Sequence, residues 1–146
     1  MSTTRHVKSI HVDAPVETVF AYVKDPYHFY DAMPDSMRAK LKAVDVTPEG
    51  VGTTYEWVVG HLAGFELVGV VTRKESVVNE RIVDSSSTGP VWTWTLEPDG
   101  DDTSVTLAFE YSTKIPFVDK VIDAIAWRGD RDVDAILAAI KNEVET

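Results

Sequence analysis

A chain of 146 residues with 44% apolar and 26% charged side chains is long enough to bury one substantial core, and its composition argues against extended disorder. Its formal net charge is −10, with 14 Lys and Arg scattered along the chain, so no basic patch is available for nucleic acid and anionic membranes are repelled. The absence of cysteine removes any disulfide framework or thiolate nucleophile; with no leader-like segment behind Arg5 and Lys8 and no run of about 18 apolar residues, a cytoplasmic protein without a membrane span is expected.

Residues 5–12 alternate and predict a strand. The period then changes: Val16, Val19, Phe20 and Val23 form one helical stripe, with Pro15 suited to the first turn and Asp25-Pro26 ending the helix. The segment YHFYDAMP predicts a second short helix that stops before Pro34. From Leu41 onward strand follows strand. LKAVDVT leads into the turn Thr47-Pro48-Glu49-Gly50, then come GTTYEWVV, a turn from Gly60 to Gly64, FELVGVVTRK, ERIVDSS, VWTWTLE and TSVTLAFEYST. The last two are joined through residues 98–102, and the polar run from Asp84 to Gly89 reads as a loop. Short polar connections imply antiparallel pairing of six or seven strands.

The segment from Phe117 to Glu145 returns to helical period. Val118, Ile122, Ile125, Val133, Ile136 and Ile140 fall on one stripe, which also contains Gly129, and the helix would be about 40 Å long. Glycine inside a helix costs about 1 kcal/mol relative to alanine, offset by a close approach of sheet or ligand if the position is used. Trp127 projects to the side opposite the stripe; packing on a loop, a dimer contact or a break in helix phase would each explain it. Arg128 and Asp132 are spaced as an i,i+4 surface pair.

The resulting α+β order is a strand, two short helices, a run of antiparallel strands and one long amphipathic helix. Only that last helix can cover the apolar face of the sheet, and at about 10 Å across it is too thin to fill a wide, twisted one. The order resembles the START-like, or SRPBCC, superfamily, which includes the birch-pollen allergen group and the polyketide cyclase/dehydrase-like proteins. The resemblance is carried by SIHVDAPVETVFAYVKDPYHFYDAMP at the start, by Gly52 after the first turn, by Asp101 to Thr106, and by the final helix. It implies a helix-grip fold with a hydrophobic cavity, in a superfamily that runs from lipid carriers to ring-closing enzymes, so the fold does not select among them.

Alternation assigns the cavity lining. Tyr55 and Trp57, Trp92 and Trp94, and Phe109 and Tyr111 fall on the inward parity of their strands, together with Val105, Leu107 and Leu96. The strand FELVGVVTRK has two registers: Phe65, Leu67 and Val71 inward, which is preferred, or Glu66, Val68 and Val70. Ile122, Ile125 and Gly129 supply the helix side. Each aromatic alone could be plain core; together they outnumber what one helix seam needs, and a few polar tips in an apolar cleft is how small-molecule sites look. The four histidines read as scattered surface groups, His61 at a pocket rim excepted. No GxSxG, HExxH or phosphate-cradling glycine loop occurs, and no metal set, cofactor or assembled catalytic group is expected. The leading expectation is therefore a single-domain carrier or sensor for a hydrophobic small molecule. A cyclase- or dehydratase-like enzyme using Tyr55, His61, Glu66 or Tyr111 as acid and base is the first alternative. A protein-interaction module, with a homodimer through Trp127, is the second.

Overall fold

The computed structural model describes residues 3–33, 40–87, 89–112 and 130–146, leaving out the side chains of 3, 4, 59–62, 65–67, 111, 112 and 130. Seven strands form one sheet: β1 (Thr3–Val12), β2 (Lys40–Asp45), β3 (Thr54–Leu62), β4 (Phe65–Val77), β5 (Arg81–Ser86), β6 (Val91–Asp99) and β7 (Asp102–Ser112). Their spatial order is β1-β7-β6-β5-β4-β3-β2, with every neighbouring pair antiparallel. Helices α1 (Val16–Val23) and α2 (Pro26–Ala32) follow β1, and α3 (Asp130–Glu145) closes the chain, packing on β1 and β7 and braced by α1 and α2. This is the α+β helix-grip arrangement. Of the final helix expected from Phe117, the stretch holding Val118, Ile122, Ile125, Trp127, Arg128 and Gly129 lies outside the described residues. Among the described residues no helix is long and apolar enough to cross a membrane.

Local chemistry accounts for the elements. The α1 stripe buries Val19, Phe20 and Val23, while Pro15 stands one position before the first helical turn, as the N-cap. Lys24 caps the end of α1 and Asp25 starts α2, its side chain accepting the backbone N–H of Tyr27 at 2.9 Å with Pro26 in the first turn. α3 buries Val133, Ile136, Leu137 and Ile140. Strand β6 alternates as expected, with Trp92, Trp94 and Leu96 buried.

The turns are tighter than their sequences suggested. β3 runs on through Gly60, His61 and Leu62, so the connection to β4 is only Ala63-Gly64, with φ of 52° and 85°, the handedness that matches strand twist. Pro98 and Asp99 belong to β6, paired with Thr103 and Asp102, and Asp84 to Ser86 belong to β5 rather than to a loop. Between β2 and β3, Gly50 has a φ of +87°, and a Cβ there would lie 2.6 Å from Ser76 Oγ. Gly64 has a similar φ but open space around it. Gly50→Ala is therefore expected to cost more than Gly64→Ala, which carries only the backbone strain of about 1–2 kcal/mol; urea denaturation of the two variants checks the order.

Candidate functional site

The covered face of the sheet is aromatic. Tyr55 and Trp57 from β3, Trp92 and Trp94 from β6, and Phe109 from β7 are all buried on it. Trp92 and Phe109 are directly paired across β6 and β7, with ring centroids 4.3 Å apart, and Tyr55 meets Trp57 edge-on at 5.5 Å. A side chain that the sequence reading did not single out completes the set. Phe29, on α2, stands between three tryptophans, with centroids 4.9 Å from Trp92, 5.6 Å from Trp94 and 5.8 Å from Trp57. The helical spacing of Phe29 marks it as a buried position, but only the docking of α2 shows what it touches.

The described part of β4 buries Gly69, Val71 and Arg73 and exposes Val68 and Val70. Phe65 and Leu67 share the parity of Val71, and Glu66 that of Val68 and Val70. The side chains of Phe65, Glu66, Leu67, His61 and Tyr111 lie outside the described set, as do Ile122, Ile125 and Gly129.

Beside the aromatic set lies a buried ionic group that sequence reasoning missed. Arg73 is 4% and Asp84 1% exposed. Arg73 Nε donates to Asp84 Oδ1 at 2.9 Å and Nη2 donates to Oδ2 at 3.2 Å, a two-pronged pair between β4 and β5. Nη1 donates to the carbonyl of Lys24 at 2.8 Å, satisfying an acceptor at the C-terminal end of α1, where the helix dipole favours a cation. The Tyr55 hydroxyl donates to Asp84 Oδ2 at 3.0 Å. Burial, then the charge and hydrogen bond of Asp84, push the Tyr55 phenol well above its ordinary 10, against the opposing charge of Arg73. The phenol thus keeps its proton at neutral pH and is committed as a donor, which suits a brace better than a general base. The only sequence signal for this group was the inward parity of Arg73 and Asp84 in their strands.

At the far side of Arg73 a cleft of about 310 Å³ opens between the α1–α2 junction and the β2–β3 connection, lined by Phe20, Lys24, Tyr27, Val46, Glu49 and Ser76 among others. Nothing in the sequence pattern indicated it, because its walls come from three separate segments, residues 20–27, 46–53 and 73–78. At the same end of the sheet, His11 is exposed, as expected of a surface group, but it is not isolated. It gathers Asp13, Asp99 and Asp102 around its ring.

With this geometry in hand, comparison with known proteins places the chain. A family model described as polyketide cyclase / dehydrase and lipid transport matches residues 3–145. Among solved structures, the chain is similar to the KanY protein (18% identity, all of both chains covered, TM-score 0.71). It is also similar to the Zhui aromatase/cyclase from Streptomyces sp. R1128, at 17% identity over 99% of this chain and 94% of that one, TM-score 0.68. A third likeness is to the protein TTHA0849 from Thermus thermophilus, at 20% identity over 97% of each, TM-score 0.65. At these identities the likeness concerns the fold. No curated protein matches the sequence.

Proposed function

The chain belongs to the polyketide cyclase / dehydrase and lipid transport family, and from that premise we propose that it binds a hydrophobic or aromatic small molecule between the sheet and the C-terminal helix. The ligand class is lipid, polyketide or isoprenoid-like, and the role is that of a cytoplasmic carrier or sensor without a cofactor. The observation that carries this reading is the convergence of Tyr55, Trp57, Trp92, Trp94 and Phe109, from three strands, on one covered face. Phe65, Leu67, Tyr111, Ile122, Ile125 and Gly129 would extend the lining. The rings are closed off from solvent and Phe29 fills the space between the tryptophans, so a ligand reaches them by displacing Phe29 together with α2.

An acid–base enzyme needs at least two polar side chains converging on the reacting atoms. Tyr55 spends its hydroxyl on Asp84, and Arg73 spends Nε, Nη1 and Nη2 on Asp84 and Lys24, so this group supports the binding reading. The test is native mass spectrometry and solvent extraction of the purified protein, with a titration of anilinonaphthalene sulfonate read by energy transfer from tryptophan. A saturable one-to-one complex, displaced by lipids or polycyclic aromatics, is expected. Absence of both a co-purifying molecule and saturable binding would sink the proposal.

A further inference from the structure

Among the described residues, a dense group of titratable side chains outside the covered face lies where the end of β1, the β6–β7 hairpin and the last turn of α3 meet. His11 directs both ring nitrogens at carboxylates. Its Nε2 is 3.0 Å from Asp13 Oδ1 and 3.0 Å from Asp102 Oδ2, and its Nδ1 is 3.3 Å from Asp99 Oδ2. From α3, Lys141 Nζ donates to the carbonyl of His11 at 2.8 Å and pairs with Glu145, while Glu145 Oε2 accepts the backbone N–H of Asp13 at 2.8 Å. The segment that carries His11 is therefore also the anchor of the helix's C-terminal turn.

A carboxylate can only accept hydrogen bonds, and neutral imidazole has one N–H and one lone pair. Either neutral tautomer would satisfy one side of the ring and point a lone pair at a carboxylate on the other. Only the imidazolium donates in both directions. We infer that His11 is a proton-operated clasp, which when charged ties the tip of the β6–β7 hairpin, through Asp99 and Asp102, to the segment anchoring α3 and when neutral releases that tip while the β1–β7 ladder stays paired. Loss of the proton leaves Asp13, Asp99 and Asp102 around an uncharged ring, with Glu145 and the Lys141 ammonium paired beside them on α3. The hydrogen bond to Asp102, opposed by partial desolvation and reinforced by the charges of Asp102 and Asp13, raises the His11 pKa above its ordinary 6.5. A raised folded-state value means the stabilisation is fully present below about 6.5 and is lost as pH rises through the folded value.

The experiment is an NMR titration of the imidazole carbon-bound protons in the full chain, with His11→Gln identifying the resonance. Amide protection factors are followed in parallel at Asp13 and in the last turn of α3. A His11 midpoint above 6.5, lowered by Asp102→Asn, is expected, with protection falling through that midpoint in the wild type and staying level in His11→Gln. A midpoint at or below 6.5 would overturn the inference, as would protection that ignores the titration of His11.

Discussion

Asp84→Ala is expected to destabilise the fold by about 3–5 kcal/mol, the cost of leaving one partner of a buried ion pair without the other. Arg73 would keep its charge at a position almost sealed from water, and the Tyr55 hydroxyl would lose its acceptor. Because both groups are buried, solvent screening offers no relief of the kind that makes surface pairs weak. Against the roughly 5–15 kcal/mol that holds a domain together, such a loss is visible as a large fall in the urea midpoint with an unchanged slope. Removing the whole group should act differently. Tyr55→Phe combined with Arg73→Met and Asp84→Leu leaves no stranded charge, so the triple variant should recover much of the single-variant loss, short of the Lys24 carbonyl that Arg73 satisfied. A loss under about 1 kcal/mol for Asp84→Ala would show that water reaches Arg73 and that the pair does not brace the sheet against α1.

Phe29→Ala is expected to cost a similar amount, about 3–5 kcal/mol, through the lost transfer energy of the ring and the cavity left among three indoles. The near-ultraviolet circular dichroism should change with it, because Trp57, Trp92 and Trp94 all lose an aromatic neighbour. Phe29→Leu keeps most of the apolar volume and is the variant for binding work. If Phe29 is what a ligand displaces, this smaller side chain should tighten binding of anilinonaphthalene sulfonate at little cost to folding. Equal affinity in Phe29→Leu and wild type would mean that the probe enters elsewhere.

What the sequence made legible was governed by local period. The alternation of Trp92, Trp94 and Leu96 and the stripe of Val19, Phe20 and Val23 are each set by geometry within one element, and both bury the expected side chains. The hairpin tips were misjudged because a two-residue turn needs only the positive φ of Ala63 and Gly64, which leaves Gly60 to Leu62 free to pair. Register shifts were invisible for the same reason. Between Val58 and Gly60 the pairing of β3 slips by one residue, and Val58 is buried although it follows the buried Trp57. Asp84 joins Arg73 because β4 and β5 align in one register, with an irregularity just beyond Arg73. His11 meets Asp99 and Asp102 through the pairing of β1 with β7 and β7 with β6. Phe29 reaches the tryptophans only once α2 docks. These contacts depend on how elements meet, and single-element periodicity carries no information about that.

The claim that an apolar ligand is held against the aromatic face is tested most directly by intermolecular nuclear Overhauser effects from bound anilinonaphthalene sulfonate in an isotope-labelled sample of the full chain. Contacts from the probe's ring protons to Phe29, Trp57, Trp94 and Phe109 are the predicted result. Contacts confined to Tyr27, Val46 and Val78, at the cleft beside the α1–α2 junction, would contradict it.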